Sequence, residues 1–437
     1  MATKTSKDIR NESRFMVLRA VYSFGTVSRA QIAAETGLSA ATVTTLVGEL
    51  LRAGVLREAG RISSRGGRPT ATFQVDAERG RLIAVDVAET YVRLDLYDLG
   101  LGLVDREEIE LEPGAQTIDS VSATIGAALG PLLSRNALRS EDLLHAGVSM
   151  PGQVDAEQGV DVFAPNWGWR DVPVLEALRE AIGAPVRVDN PLMALATGEL
   201  WFGAGRFHRD FVTVNLGTGV GAGIIVDGHL LRGRGNSAGE WGHTTLVWGG
   251  RSCHCGRKGC VESYIGAEGV RVTLEEIAPD HELLDVRHQR AFIEQLIRAE
   301  AAGDRAAHDV LERTGDYLAA GLGNLVNLLN PEHVSVLGWI TRYAGAELQE
   351  RVRGRIRQEC LPGPAERVSI GFAETAAQHV RLGMAVLALE GFLADVGLPS
   401  ASSIPPSASA DGTPRQRGAA PGAGWVLPSG QGAAARR

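Results

Sequence analysis

Hydrophobic residues near the N-terminus recur at helical spacing in three successive segments. The first segment runs from about residue 8 to residue 24, and its apolar side consists of Phe15, Leu18, Val21 and Tyr22. Ser28 is a suitable N-cap for a short second helix, and Gly37 permits the tight turn that follows it. Ser39 then begins a third helix, whose apolar side consists of Val43, Leu46, Val47 and Leu50. The pattern predicts three short helices with a tight turn between the last two.

The outer side of the third helix carries small and hydroxylated residues. An ordinary amphipathic helix presents long charged side chains to water, whereas the small residues Ala41 and Gly48 lie on the outer side of this helix. Such a surface suits a helix that enters the major groove of DNA and contacts base edges and methyl groups. We expect base contacts from Ser39, Thr42, Thr44 and Thr45.

An arginine-containing loop between two short strands follows the third helix. Residues 55–75 read VLREAGRISSRGGRPTATFQV, and the paired glycines allow the backbone to approach DNA closely. Arginine on a thin loop suits the minor groove or the phosphates, so we expect Arg65 and Arg68 to contact DNA. The alternative is a helical hairpin followed by a solvated loop. The order of the elements favours a winged helix-turn-helix over residues 1–80.

From residue 81 the pattern changes to short β-rich runs separated by helical stretches. Residues 81–99 predict two strands joined by a turn, and further strands are predicted in HAGVSM, PVRVDN, FVTVNLG and HVSVLG. This alternation predicts an α/β domain, over residues 81–395, with sheets covered by helices. Residues 396–437 are rich in Ala, Gly, Ser and Pro and predict a disordered tail. We find no internal repeat in the sequence.

Charge is distributed unevenly along the chain. Of its 44 basic and 52 acidic residues, residues 1–80 hold 12 and 7, so this segment carries +5 and the remainder −13. A basic module on an acidic body is typical of a DNA-binding head joined to a different kind of domain. No run reaches the roughly eighteen apolar residues that a membrane helix needs, and the N-terminal residues lack an apolar signal core. We therefore expect a cytoplasmic protein without a membrane segment.

Three of the four cysteines lie close together, which indicates a metal site rather than a disulfide scaffold. The candidate ligands, in chain order, are His243, Cys253, Cys255 and Cys260. Three thiolates and one imidazole form a closed tetrahedral set for structural zinc, with no position left for an activated water. His254 is a competing candidate, and three incidental or buried cysteines are the alternative to a metal site.

Motifs around these cysteines resemble the ROK family, which contains sugar kinases and sugar-responsive repressors. They are GEWGH at residues 239–243, CHCG at 253–256 and GCVE at 259–262. The likeness extends over about residues 81–395, and GGRP at 66–69 matches the wing of the repressor branch. The resemblance implies two actin-like α/β lobes with a sugar in the cleft between them. The implied sugar contacts are Asn166, Asn190, Glu240, His243 and Glu262.

The implied contacts suit a polyhydroxylated ligand, because carboxylates and amides that converge in a cleft bind hydroxyl groups. His243 would have two roles, with one ring nitrogen on zinc and the other facing a sugar hydroxyl. Zinc would then orient a ligand-binding residue and perform no chemistry itself.

Three departures from the kinase pattern predict that phosphoryl transfer has been lost. Where the kinases carry the aspartate that activates the sugar hydroxyl, this chain has Pro191, which cannot accept a proton. The first phosphate motif, DxGGT in the kinases, is DVAET at residues 86–90, in which Glu89 would repel a phosphate. Trp339 stands where a kinase has a second glycine near the adenine, although the glycine-rich loop at 215–223 is kept. We expect no catalytic residue.

The residues and the resemblance together predict a repressor of carbohydrate metabolism genes that releases operator DNA when a sugar binds. One winged helix per chain favours a homodimer or homotetramer on a palindromic operator. The aspartate that Pro191 replaces also contacts the sugar in this family, so a pentose, a modified hexose and a sugar phosphate all remain candidate effectors. The alternatives are an ATP-dependent sugar kinase with a DNA-binding head, and a regulator controlled by a protein partner.

Overall fold

The N-terminal part of the chain folds into a helical head with a β-hairpin. The structure is a computed structural model that describes residues 5–64, 67–111, 114, 116–373 and 376–399. The head helices are α1 (Ser6–Phe24), α2 (Arg29–Thr36) and α3 (Ala40–Arg52). Its sheet has the order β1-β3-β2, formed by β1 (Val27–Ser28), β2 (Leu56–Ser64) and β3 (Gly67–Val75). This arrangement is the winged helix-turn-helix that the sequence predicts.

The predicted caps set the turn between α2 and α3. The Ser28 hydroxyl accepts a hydrogen bond from the Gln31 backbone N–H at 3.3 Å, and the Ser39 hydroxyl accepts one from Thr42 N–H at 3.1 Å. Gly37 ends α2 with a φ of 71°, a left-handed conformation that favours glycine. The apolar side of α3 is buried in the head, so its hydroxylated side faces outward.

The first lobe is built on a five-stranded sheet with the order β11-β7-β4-β5-β6. Its strands are β4 (Arg81–Val87), β5 (Tyr91–Asp98), β6 (Leu103–Glu110), β7 (Leu143–Ser149) and β11 (Val186–Asp189). Helices α4 (Ile118–Arg135) and α5 (Leu175–Ile182) pack beside it. A small antiparallel sheet is formed by β8 (Gln153–Asp155), β9 (Val160–Ala164) and β10 (Trp169–Pro173).

The second lobe repeats this topology with the order β14-β13-β12-β15-β16. Its strands are β12 (Phe211–Leu216), β13 (Val220–Val226), β14 (His229–Leu230), β15 (His333–Leu337) and β16 (Ser369–Phe372). In each sheet the first three strands in chain order are antiparallel. The fourth strand pairs in parallel with the first, and the fifth pairs in parallel with the fourth. The helices of this lobe are α7 (Glu262–Ile265), α8 (Ala267–Ile277), α9 (Gln289–Ala301), α10 (Arg305–Leu329), α11 (Thr341–Glu359) and α12 (Pro362–Arg367). The fold is therefore duplicated although the sequence shows no repeat.

Two helices, α6 (Pro191–Phe202) and α13 (Ala376–Asp395), cross between the lobes. Helix α6 follows the last strand of the first sheet and packs on β12 and β13, whereas α13 follows the last strand of the second sheet and packs on β4 and β7. They touch through glycines, since a Cβ atom on Gly198 would lie 2.0 Å from the His379 carbonyl oxygen. Each of these helices thus starts at the sheet of one lobe and packs against the sheet of the other lobe.

The head is packed against these crossing helices. The Trp201 ring at the end of α6 makes edge contacts with Phe15 at 5.2 Å and with Tyr22 at 5.7 Å between ring centres. Residues 396–399, which the sequence assigns to a disordered tail, belong to this packed region. Leu398 is buried there, and Arg14 donates a hydrogen bond to the Pro399 carbonyl. The rest of that tail, residues 400–437, lies outside the described residues.

No helix within the described ranges is long and apolar enough to cross a membrane.

Candidate functional site

A cavity of about 850 Å³ lies between the two lobes. The turn between β4 and β5 and the turn between β12 and β13 both line it, because they occupy equivalent places in the duplicated sheets. Polar side chains from the first lobe include Asp86, Glu89, Gln153 and Asn166. Those from the second lobe include Asn215, Glu240, His243 and Glu262. The cavity therefore joins many hydrogen-bonding groups from both lobes.

The predicted metal ligands come together beside this cavity. The ligand atoms of His243, Cys253, Cys255 and Cys260 all lie within 4.8 Å of one another. His243 Nδ1 is 3.6 Å from Cys253 Sγ, and the Cys255 and Cys260 sulfurs are 3.7 Å apart. A tetrahedral zinc ion with its usual bond lengths would require about 3.6 Å and about 3.8 Å for these two distances. The four residues can hold a metal ion, and His254 is not one of the four.

The loop around this cluster requires a glycine, and it brings the thiols close to one another. Gly259 has a φ of 78°, and a Cβ atom there would lie 1.7 Å from the Val247 carbonyl oxygen, so glycine is required for this loop. Burial and the neighbouring thiols raise the pKa of Cys260 to about 12. A bound cation would reverse that effect, because it stabilises the thiolate form of each ligand.

The cluster positions two of the predicted sugar-binding residues. His243 directs Nδ1 toward Cys253 and also lines the cavity. Glu262 begins α7, and its Oε2 atom accepts a hydrogen bond from Val220 N–H at 2.9 Å. Burial raises the pKa of Glu240, an effect that nearby His243 opposes. The cysteine cluster and two carboxylates therefore share one wall of the cavity.

The two predicted asparagines differ in their placement. Asn166 lines the cavity, and its Nδ2 atom donates a hydrogen bond to Glu89 Oε1 at 3.1 Å. Asn190 is buried and does not line the cavity. Its Oδ1 atom accepts hydrogen bonds from the backbone N–H groups of Leu192 and Met193, at 3.0 and 2.9 Å. The structure thus gives Asn190 the role of N-cap of α6, with Pro191 in the first helical position.

Sequence reasoning missed Gln153 and Arg290, which also line the cavity. Gln153 follows Pro151 and Gly152 just beyond the carboxyl end of β7, where ligands of parallel sheets commonly bind. That position was a usable signal. Arg290 lies on α9, which has no motif, so only the tertiary structure brings it to the cavity.

The glycine-rich loop at residues 215–223 is covered by side chains of its own lobe. A Cβ atom on Gly217 would lie 3.0 Å from Trp339 Nε1, and the Thr218 hydroxyl donates to Gln289 Oε1 at 2.8 Å. The Arg290 guanidinium lies 5.9 Å from the centre of the Trp339 ring. These contacts surround the glycine-rich loop, which is kept from the kinase pattern.

The predicted base-contacting residues lie on the outer side of α3. Thr44 and Thr45 are exposed, and their hydroxyls donate to the carbonyls of Ala40 and Ala41 at 2.7 and 3.0 Å. Ser39 and Thr42 bond to each other through their hydroxyls at 2.9 Å. The threonine hydroxyls are therefore bonded to the backbone of their own helix. Arg65 and the side chain of Arg68 lie outside the described residues.

Comparison with known proteins identifies the family. The pattern of the ROK family matches residues 82–390, and that of the MarR family matches residues 11–68. The chain belongs to the ROK family. This confirms the resemblance that the cysteine and glycine motifs indicated, together with the two-lobed fold behind a winged helix-turn-helix.

Known ROK proteins similar to this one include regulators and kinases. The xylose repressor of Caldicellulosiruptor bescii is 26% identical over 389 residues, which cover 88% of this chain and 97% of that protein. A glucokinase of Halalkalibacterium halodurans is 33% identical over 293 residues, covering 65% of this chain and 87% of the glucokinase. The crystal structure of a ROK family transcriptional regulator, a homologue of the Escherichia coli Mlc protein, covers 90% of this chain and 99% of its own. That match has 26% identity and a TM-score of 0.73.

Proposed function

We propose that this ROK protein is a sugar-responsive transcriptional repressor of carbohydrate metabolism genes, which binds operator DNA through its head and releases it when a sugar occupies the cleft. The observation that carries the proposal is that two helices connect the cavity with the head. Helix α6 lines the cavity with Pro191 and Leu192 at its start and packs on the head through Trp201 near its end. Helix α13 contributes Val380 to the cavity and Phe392 to the same core as the head.

The similarity to regulators supports this proposal. The match to the xylose repressor covers 88% of this chain, whereas the match to the glucokinase covers 65% of it. The net charge of +5 on residues 1–80 favours contact with DNA phosphates.

Closure of the lobes around a sugar is the mechanism that the geometry favours. Each crossing helix packs on the opposite lobe's sheet, so a change in the angle between the lobes moves α6 relative to α13. The head rests on both helices, and the Tyr22 hydroxyl donates a buried hydrogen bond to the first-lobe carbonyl of Leu99 at 2.6 Å. Nearly complete release of DNA requires that the sugar favour the released state by about 5 kcal/mol.

We propose that the metal is zinc and that its role is structural. Four protein ligands complete a tetrahedral set and leave no position for an activated water. Zinc would hold residues 243–260 in one conformation, so that His243 and the adjoining Glu262 keep their places in the cavity wall. Its chemical contribution is to keep the thiols deprotonated and the imidazole oriented.

We also propose that the protein has no kinase activity. Pro191 occupies the first position of α6 at the cavity and offers no group that accepts a proton. Glu89 places a carboxylate on the turn between β4 and β5, where a phosphate would require donors. A coupled assay with ATP and a panel of sugars tests this, and turnover at about 1 per second or faster would contradict it.

A homodimer is the simplest assembly for this repressor, because one head per chain contacts only half of a palindromic operator. A homotetramer would be a pair of such dimers. Sedimentation of the protein alone and on DNA distinguishes these assemblies from a monomer.

The central test is a DNA-binding titration with purified full-length protein. Operator fragments are first selected from genomic DNA, and their affinity is then measured with each sugar and with none. We expect at least one sugar to weaken operator binding by tenfold or more, an effect of about 1.4 kcal/mol. The Glu262→Gln variant should bind the operator normally and lose the response to sugar. Unchanged operator affinity with every sugar would contradict the proposal.

A further inference from the structure

We propose that the part of the cavity beside Trp339 is a second carbohydrate subsite, so that the effector is a glycoside with two linked rings. This inference rests on the proposed function, in which a sugar binds between the lobes. It names the class of ligand more closely than the sequence does.

Trp339 provides a fixed apolar platform in this part of the cavity. Its ring lines the cavity, packs among hydrophobic residues of the second lobe and lies against Gly217, where a Cβ atom would meet Nε1 at 3.0 Å. One face of a pyranose ring presents mainly C–H bonds, and such a face packs well on an aromatic ring. A half-buried indole that lines a cavity is therefore suited to a sugar ring beside the Arg290 guanidinium, which lies over the same indole.

Hydrogen-bonding groups surround this platform. The Arg290 guanidinium lies over the Trp339 ring, 5.9 Å from its centre, and also lines the cavity. Asn215 lines it from the end of β12, and its side chain is held by a hydrogen bond to the Gly219 carbonyl at 3.0 Å. Tyr91 approaches from the first lobe. A ring placed on Trp339 would thus meet donors and acceptors around its edge, as a sugar requires.

The charges of the cavity disfavour a nucleotide in the same place. Glu89, which has no counterpart in the kinase motif DxGGT, lies on the turn between β4 and β5 and places a carboxylate on the cavity lining, where it would repel a phosphate. The lining of the cavity also includes the apolar side chains of Leu192 and Val380. An uncharged glycosidic linkage suits these apolar side chains, and a polyphosphate does not.

The size of the cavity fits two rings. Its volume of about 850 Å³ lies in the upper part of the range that accommodates drug-sized ligands. A single sugar held at the wall of Glu240, His243 and Glu262 would leave the Trp339 platform in contact with water.

Calorimetric titration of the full-length, zinc-loaded protein tests the proposal. The probes are xylose against xylobiose, glucose against cellobiose, and 4-nitrophenyl β-glucoside as a sugar with an aryl second ring. We expect at least one two-ring probe to bind about tenfold more tightly than its single sugar. Trp339→Ala should bring that ratio close to one and change the single-sugar Kd by less than about threefold.

Two further variants guard against a folding defect and distinguish the second rings. Trp339→Phe keeps an aromatic face and should retain most of the preference for two rings. Arg290→Leu, on an exposed side chain, should weaken binding of the disaccharide but not of the nitrophenyl glucoside. Equal loss for both would show that Arg290 does not contact the second ring.

The outcomes separate this inference from the proposed function. If single sugars bind as tightly as the two-ring probes, the subsite is wrong and the sugar-responsive repressor stands. If two-ring probes bind more tightly but Trp339→Ala leaves the ratio unchanged, the subsite is likewise wrong. If no sugar binds, both proposals fail. Binding of a non-hydrolysable ATP analogue in this region would also overturn the subsite.

Discussion

Single side chains determine what the cleft of this protein can do. Pro191 lacks any group for proton transfer. The adjacent Asn190 is the N-cap of α6, in which Pro191 is the first residue. His243 links the metal cluster to the cavity wall, because one ring nitrogen faces Cys253 while the residue also lines the cavity. At this scale the side chains account for the binding role that we propose for the cleft.

Replacement of a metal ligand should remove both the metal and the sugar response. Cys255→Ser breaks the four-ligand set, so we expect zinc content to fall from about one ion per chain to a small fraction. Sugar binding should weaken with it, because the loop that carries His243 loses its constraint. Elemental analysis and calorimetry measure the two effects. Cys360→Ser is the matched control, since Cys360 is buried and is not one of the four clustered ligands, so this variant should leave zinc content unchanged.

A buried carboxyl should make stability depend on pH. Asp161 in β9 is fully buried, and burial raises its pKa to about 7, although the Phe163 N–H acts in the opposite direction. The unfolded chain releases this proton near pH 4, so between about pH 4 and pH 7 the unfolded state holds fewer protons than the folded state. The free energy of unfolding therefore loses this contribution as pH rises through that window.

The Asp161→Asn variant tests this dependence because an amide stays neutral. We expect its free energy of unfolding to exceed that of the wild type by on the order of 3 kcal/mol at pH 8, and by much less near pH 4.5. Urea denaturation at both pH values measures the difference. The exposed Asp280→Asn substitution should show no such pH-dependent gain. A constant difference at both pH values would contradict the argument.

At the scale of elements, the crossing of α6 and α13 is the junction of the molecule. The buried Glu199 of α6 accepts a hydrogen bond from Ser335 of β15 at 2.7 Å and lies 3.2 Å from His379 of α13. Glycines allow the two helices to approach, since a Cβ atom on Gly383 would lie 1.9 Å from the Ala194 carbonyl oxygen. A strand of the second lobe and both crossing helices therefore meet at one point.

Adding a methyl group at this crossing should be costly. In Gly198→Ala the new Cβ would lie 2.0 Å from the His379 carbonyl oxygen, so the backbones must separate. We expect a loss of about 1–3 kcal/mol in the free energy of unfolding, the usual range for overpacking. The control is Gly354→Ala, because Gly354 lies in α11 with open space around it. That variant should be neutral or gain up to about 1 kcal/mol, and denaturation curves compare the two.

At the scale of the whole molecule, the head and the cleft are both in contact with helices α6 and α13. Phe15 and Tyr22 pack on Trp201 at one end of the helix whose other end lines the cavity. The physical consequence is that lobe closure and head position depend on the same contacts. A ligand therefore changes DNA binding only by the difference in its affinity for the two arrangements.

Loss of the buried head-to-lobe hydrogen bond should weaken this coupling. Tyr22→Phe removes the bond to the Leu99 carbonyl, and one such bond is worth about 1 kcal/mol. We expect the sugar-induced change in operator affinity to shrink by about fivefold while the sugar Kd stays nearly constant. Operator titrations with and without sugar provide the measurement. Tyr343→Phe, in the second lobe, should retain the full response, and an equal effect in both variants would contradict this role for Tyr22.

Local patterns in the sequence determined much of this protein. Caps at Ser28 and Ser39, the strand-like runs and the spacing of the cysteines are short-range features, and the structure places them as predicted. The family motifs also predicted four of the residues that line the cavity. Asn190 differed because its amide is used by the backbone of the helix that it begins.

The tertiary structure alone decided how distant segments combine. The duplication of the sheets leaves no repeat in the sequence, because a topology fixes strand order and burial but not residue identity. Arg290 reaches the cavity, and Leu398 packs beside the head, through contacts with segments remote in the chain. Sequence periodicity reports which side of an element is buried, and only the packed chain determines which element covers it.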